Sequence, residues 1–169
     1  MKFLFFLIFF LFSFSSYAEK YATVNFQKIY DNSTIFNKYL EEIEDFKKEQ
    51  LKEFKKIEKI LNKEKKELEN SKIILSDKEF ENEFNKYEKN IQEYQIKVDK
   101  ANKEILSKME KAKNTIKNEV IKILQEIAIE KNIKIIFDSD NYIIAMKEID
   151  LTGQVIKILN SDLKNVEIE

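Results

Sequence analysis

The sequence predicts a mainly α-helical protein with a small β body, in which a long antiparallel coiled-coil hairpin is inserted between strands of one small sheet. Short β-rich runs lie near both ends of the chain, at Tyr21 to Asn25 and at Ile133 to Phe137. Between them, about a hundred residues contain no proline or glycine and carry charges of alternating sign. Because the backbone donors and acceptors of a strand need partners, we expect the two ends of the chain to pair.

The first 18 residues, MKFLFFLIFFLFSFSSYA, predict a secretory signal peptide. One lysine precedes an apolar run from Phe3 to Phe12, and small residues stand before the expected cut after Ala18. The alternative is a retained membrane anchor, but the apolar run is shorter than the ~20 residues of a membrane-spanning helix. Since the chain has no cysteine, a lipoprotein anchor and disulfides are excluded. Residues 19–169 are then expected to form a single domain.

The middle of the chain predicts two helices rather than one. The first apolar stripe follows steps of three and four with interruptions, and the second has none. These stripes are Phe36, Leu40, Ile43, Phe54, Ile57, Leu61 and Leu68, followed by Phe80, Phe84, Tyr87, Ile91, Tyr94, Val98, Ala101 and Ile105. A turn is expected near residues 70–77, where Asn70 would close the first helix in the left-handed conformation and Ser76 with Glu79 form a capping box. One continuous helix through this segment is the alternative.

These patterns divide the chain into a prong, residues 33–114, and a body, residues 19–32 and 115–169. Helices of about 38 and 55 residues would rise about 57 and 82 Å. Beyond a helix cap at Asn132, the runs Ile133–Phe137 and Tyr142–Ala145 predict two strands, and Asp150 begins a last helix. The lower end of the second long helix, from Ile116 to Ile129, is apolar on more than one face and is expected to be buried in the body. The candidate residues for the body core and for oligomer formation are Val24, Ile133, Ile135, Phe137, Ile143, Leu151 and Val155.

The composition excludes several classes of chemistry. Without histidine or cysteine, the chain lacks zinc-finger ligands, a Ser-His-Asp triad and a thiol nucleophile, and the lone glycine cannot build a phosphate loop. We therefore expect no enzyme, no cofactor and no metal. Removal of residues 1–18 would change the formal net charge only from −1 to −2, which gives no indication of nucleic-acid binding. Contact with a membrane is left open.

Three segments stand out near the ends of the chain: ATVNFQKIYDNS (22–33), NIKIIFDSDNYIIA (132–145) and DLTGQVIKILN (150–160). Together with the long charged helical middle, they resemble the Skp/OmpH family of periplasmic chaperones, and the resemblance covers nearly all of residues 19–169. It implies a homotrimer in which strands build a compact body and three helical hairpins project as prongs around a cavity. The cavity would hold unfolded outer-membrane proteins in the periplasm after they cross the inner membrane. Because members are often basic and this chain is slightly acidic, no lipopolysaccharide site is carried over.

Candidate client contacts are apolar residues that the helical seams do not use. They are Phe46, Leu51, Ile60, Ile73, Ile74 and Ile96. The alternative for the first three is that they widen the hairpin's own core, and single exposed apolar residues are ordinary on any surface. A chaperone of this kind would need no ATP. The competing function is an exported coiled-coil protein that spaces or tethers envelope components.

Overall fold

The computed structural model describes residues 20–162, and the predicted signal peptide lies outside this range. Two strands and four helices follow one another along the chain. They are β1 (Lys20–Val24), α1 (Phe26–Asn32), α2 (Thr34–Ser71), α3 (Asp77–Lys131), β2 (Ile133–Asp138) and α4 (Thr152–Asp162), with 3-10 turns at Ser139–Asn141 and Lys147–Ile149. No helix in the described range is both long enough and apolar enough to cross a membrane.

The two ends of the chain do pair in one small sheet. β1 and β2 run parallel, with Lys20 beside Ile133 and Val24 beside Asp138. Parallel strands need a crossover connection, and here the entire helical hairpin serves as that connection. The chain then returns to the other side of β1, where the N–H of Leu151 donates to the carbonyl of Thr23 at 2.9 Å.

The predicted strand at Tyr142–Ala145 is wrong. This segment is irregular, and the side chain of Ile143 is fully exposed at 104%. Strand preference depends on a neighbouring strand to pack against. Among the described residues, β1 offers no free edge because Asp150 and Leu151 occupy it, and the segment does not pair with the open edge of β2 either.

The structure confirms two long helices joined by a turn, with lengths of 38 and 55 residues. The capping box is present, and bonds from the hydroxyl and backbone N–H of Ser76 lower the pKa of Glu79. Asn70 as a left-handed cap is wrong, because α2 continues through Ser71, whose carbonyl accepts from the N–H groups of Ile74 and Leu75. Asn132 is the expected left-handed cap of α3, with φ 54°.

The body core lies where the sheet meets α1, α4 and the lower ends of the hairpin helices. Its most deeply buried apolar side chains are Ile29, Ile116, Val120, Val155 and Leu159. Helix α1, which the sequence analysis did not predict, places Ile29 in this core. Its start is fixed by Asn25, whose side-chain oxygen accepts from the N–H of Lys28 at 2.7 Å. Burial of α3 is less complete than predicted, because Ile121 and Ile129 are exposed.

The side chain of Asn160 joins α4 to the junction between α1 and α2. Its nitrogen donates to the carbonyl of Asn32 at 3.0 Å, and its oxygen accepts from the backbone N–H of Thr34 at the same distance. The hydroxyl of Thr34 donates to that oxygen as well. One amide therefore bonds both sides of the break at Ser33, where the prong leaves the body.

Candidate functional site

The prong is an antiparallel pair of helices that is deeply packed only near its base. The buried seam residues of α2 end at Ile43, and those of α3 begin at Ala101. Nearer the tip, seam residues such as Leu61, Leu68 and Tyr87 are only half-buried. Two helices cannot enclose a core completely, so much of the prong's length is surface.

Polar contacts fix the alignment of the two helices in this thin region. The hydroxyl of Tyr94 donates to Oε1 of Glu58 at 2.6 Å, and Nδ2 of Asn90 donates to Oε2 of Glu64 at 2.9 Å. The ring of Tyr94 also meets the ring of Phe54 edge-on, with centroids 5.9 Å apart. The bond to Glu58, together with some burial, raises the pKa of Tyr94 above its ordinary value of 10.0. These contacts specify which residues of α2 and α3 lie opposite one another.

Of the candidate client contacts, those at the tip are the most exposed. The side chains of Ile73 and Ile74 are 92% and 82% exposed in the turn between α2 and α3. Ile96 is 65% exposed on α3, while Leu51 and Ile60 are about half exposed on α2. These residues are spread along the prong and do not form one continuous patch.

Phe46 differs from the other candidates. It is half-buried, and Nζ of Lys108 lies 5.2 Å from the centre of its ring. The same ammonium group is 3.8 Å from Glu104. Phe46 therefore lies against a side chain of α3 while part of its ring stays exposed, and its role in client contact stays a prediction.

Other exposed apolar residues lie outside the predicted set. Leu106 on the prong is 69% exposed, and Ile144 and Met146 in the body are exposed as well. Leu106 directly follows the seam residue Ile105 but lies outside the alternating steps of four and three. This position off the seam was the signal that could have identified Leu106 as a candidate.

The residues proposed for the body fall into two groups. Val24, Leu151 and Val155 are buried within the single chain, and Ile133 is half-buried. Ile135, Phe137 and Ile143 are exposed instead: the first two lie in β2 and are 47% and 42% exposed, and Ile143 lies outside any strand and is not part of the core of the single chain.

Exposed apolar side chains lie together on one face of the sheet. Tyr21 stands beside Ile135 in the parallel pairing, and its ring lies 6.5 Å from that of Phe137. We call these three residues the outer sheet face. The side chains of Ala22 and Val24, which alternate with it along β1, point into the core.

Acidic side chains are abundant along the prong. Within residues 20–162, acidic side chains do not gather in a group of three or more that could hold a metal ion. Many instead form exposed pairs with lysines one helical turn away, such as Glu44 with Lys47 and Asp45 with Lys48. Such pairs contribute little stability but keep the prong well hydrated.

Comparisons with known proteins agree with this architecture. A model of the family described as "Outer membrane protein (OmpH-like)" matches residues 20–159. The chain is also similar to the crystal structure of a proposed OmpH-like outer membrane chaperone from Caulobacter crescentus, with a TM-score of 0.78 over 90% of each chain. At 15% identity, that similarity shows a shared fold alone. No curated protein matches this sequence. Because the family model spans the body strands, the whole prong and most of α4, the chain belongs to the OmpH-like family of outer membrane proteins.

Proposed function

We propose that this protein is an ATP-independent holdase chaperone that binds unfolded outer-membrane β-barrel proteins and prevents their aggregation. The observation that carries the proposal is a long charged prong with separate apolar side chains exposed along it, above a separately packed body. Ile73 and Ile74 at the tip and Ile96 on α3 are the clearest examples. Membership of the OmpH-like family and the fold shared with a proposed chaperone support the same function.

Dispersed weak contacts suit a chaperone that works without an energy source. Such a protein stabilises the unaggregated client by mass action and loses it to any partner that binds more tightly. Each exposed isoleucine provides only a small apolar contact, yet contacts on several prongs add through effective concentration while each one exchanges rapidly.

The outer sheet face supports assembly into a homotrimer, which the family resemblance implies. Tyr21, Ile135 and Phe137 form an exposed apolar face, and Ile143, Ile144 and Met146 are further exposed apolar side chains of the body. Contiguous exposed apolar surface marks an interaction site. β2 also has a backbone edge that no other described strand pairs, and such an edge readily accepts a strand from another chain. Three prongs around a common body would enclose the client cavity.

The proposed location is the periplasm. Residues 1–18 would direct export across the inner membrane and would then be cleaved. Protein purified from the periplasmic fraction should then begin at Glu19 when its N-terminus is sequenced. An intact Met1 in a membrane fraction would contradict cleavage and support a retained anchor.

The decisive experiment is an aggregation assay without ATP. A urea-unfolded β-barrel protein is diluted into buffer with or without the purified protein, and light scattering is followed. A holdase keeps the barrel protein soluble at near-equimolar ratio, whereas a protein that only spaces or tethers envelope components leaves scattering unchanged. A coiled-coil hairpin of similar length that lacks the exposed isoleucines serves as the control for non-specific helical surface.

A further inference from the structure

A cleft between α2 and α3 lies just below the tip of the prong. Its volume is about 430 Å³, within the ~300–1,000 Å³ of typical ligand pockets. The cleft is lined by Glu64, Glu67, Leu68 and Ser71 from α2, by Leu75 from the turn, and by Glu83, Lys86, Tyr87 and Asn90 from α3. The seam residues that line it are only half-buried, so the facing helices leave space between them.

The lining combines two kinds of surface. Leu68, Leu75 and Tyr87 supply apolar surface, whereas Glu64, Glu67 and Glu83 supply carboxylates. Asn90 holds one oxygen of Glu64 in position at 2.9 Å, which leaves that carboxylate further acceptor sites.

The other two carboxylates make only exposed ion pairs with lysines. Glu67 lies 3.3 Å from Lys63, and Glu83 lies 3.9 Å from Lys86. Exposed pairs of this kind are weak, so an incoming cation can replace the lysines at small cost.

A lining of apolar surface beside carboxylates favours an occupant that is both apolar and cationic. Lysine and arginine side chains have an apolar stem and a cationic end, and they lie along apolar surface while the charged end reaches polar groups. Residues 64–88 contain eight acidic residues and five lysines, so the field around the cleft favours cations. A metal ion does not fit, because the carboxylates do not form a metal-binding group within the described residues. Anionic lipid would be repelled, and a purely apolar side chain would dehydrate the carboxylates without pairing them.

We propose that the cleft binds lysine or arginine side chains of an unfolded client, with each stem on the apolar surface of Leu68, Leu75 and Tyr87 and each cation at one of the carboxylates Glu64, Glu67 or Glu83. The assignment rests on the proposed holdase function, since it names the client chemistry recognised near the prong tip. Clients are then selected for cationic residues in extended segments, in addition to apolar residues that meet Ile73 and Ile74.

The test measures binding of fluorescent, unstructured peptides to the purified protein by anisotropy. A peptide with several arginines is compared with the same peptide carrying citrulline, which keeps the shape but not the charge, and norleucine, which is apolar. We expect the arginine peptide to bind best. The variant Glu64→Gln/Glu67→Gln/Glu83→Gln should bind it about tenfold more weakly, since three exposed charge contacts are lost. The amide oxygen introduced by Glu64→Gln can still accept the bond from Asn90, so the hairpin should keep its helical content.

The matched control is Glu69→Gln/Glu81→Gln/Glu88→Gln, which makes the same change in charge at exposed positions outside the cleft. We expect this variant to weaken binding by less than about twofold. If both variants weakened peptide binding equally, the proposal would be overturned, and the general negative electrostatic potential around the tip would explain the binding. Norleucine binding as tightly as arginine would overturn it in favour of an apolar groove, and affinity that falls as protein concentration rises would place a second copy in the cleft.

Failure of this inference is distinguishable from failure of the proposed function. If the wild-type protein keeps a barrel protein soluble but does not discriminate arginine from citrulline, the holdase function stands and the cleft assignment falls. If the peptide results hold but barrel proteins aggregate as they do without the protein, the cleft binds cationic peptides and the holdase function falls.

Discussion

The hydroxyl of Tyr94 on α3 donates a 2.6 Å hydrogen bond to Glu58 on α2, in a part of the prong where little apolar surface is buried. In Tyr94→Phe, the ring that meets Phe54 remains and the bond is lost. We expect the free energy of unfolding to fall by about 0.5 kcal/mol at neutral pH, the low end for a hydrogen bond because the site is exposed. Chemical denaturation followed by circular dichroism measures the difference.

The same bond gives a pH dependence with a definite sign. Because the folded state raises the pKa of Tyr94, the bond's contribution is fully present below the unfolded value of 10.0 and is lost as pH rises through the folded value. The difference in stability between wild type and Tyr94→Phe should therefore shrink above about pH 10. A difference that stays constant across this range would show that the hydroxyl contributes in some other way.

Asn160 should fix the angle at which the prong leaves the body. In Asn160→Ala, the carbonyl of Asn32 and the N–H of Thr34 lose their partner, and we expect a loss of about 1–2 kcal/mol in stability. Spin labels on the prong and on α4 should also show a broader distance distribution. Asn82→Ala, at an exposed position on α3, is the control and should leave both measurements nearly unchanged.

Thr23 tests whether the single chain leaves a buried hydroxyl without a hydrogen-bond partner. Its hydroxyl is buried, and no described group bonds to it. Because a buried hydroxyl without a partner is unfavourable, Thr23→Val should raise stability by about 1 kcal/mol while preserving shape and strand preference. Thermal unfolding measures this, and a decrease would indicate that the hydroxyl finds a partner in the assembled protein.

The outer sheet face should govern assembly. In Ile135→Asp, a charge would be placed on the face proposed for assembly, and we expect the proposed oligomer to dissociate because an unpaired carboxylate is costly to bury. Since Ile135 is half exposed in the single chain, its fold should survive. Multi-angle light scattering reports the mass and circular dichroism the helix content. Ile96→Asp, on the prong, should leave the mass unchanged, and an unchanged mass for Ile135→Asp would remove this face from the interface.

The exposed prong isoleucines should determine how tightly clients are held. Replacing Ile73, Ile74 and Ile96 together by serine should weaken client binding several-fold, since partial contact gives less than the ~1.5–3 kcal/mol of a fully buried side chain. Helical content should be unchanged because all three side chains face solvent. The dissociation constant for an unfolded barrel protein is the measurement. An unchanged constant would exclude these residues from the client-binding surface.

Local signals predicted the long helices well. The stripe from Phe80 to Ile105 has no gap, and Ser76 with Glu79 marks the start of α3 through bonds between neighbours in the chain. The end of α2 was predicted less well. Asn70 was expected to end this helix in the left-handed conformation, but the helix continues to Ser71, whose carbonyl accepts from two backbone N–H groups. Strict periodicity and capping depend on near neighbours, so the sequence displays them directly.

The remaining errors concern contacts between distant segments. Ile143 and Ile144 have strong strand preference, yet the edge of β1 is occupied by Asp150 and Leu151, which no local pattern reveals. The exposure of Ile129 depends on how far α4 and the sheet cover the base of α3. The cleft near Tyr87 depends on how closely two helices approach, whereas the sequence shows only that both carry an apolar stripe.

The parallel pairing of β1 with β2 also determines the order in which the molecule can form. The two strands are separated by more than a hundred residues, so β1 is synthesised long before its partner exists. The helices of the prong depend on contacts between near neighbours, which generally form fastest, so we expect the hairpin to form early and to bring Lys20 and Ile133 together. We then expect the body to close last, with β1 lacking its partner strand until that step. In this order of folding, the prong would replace a long search between distant strands with a short one.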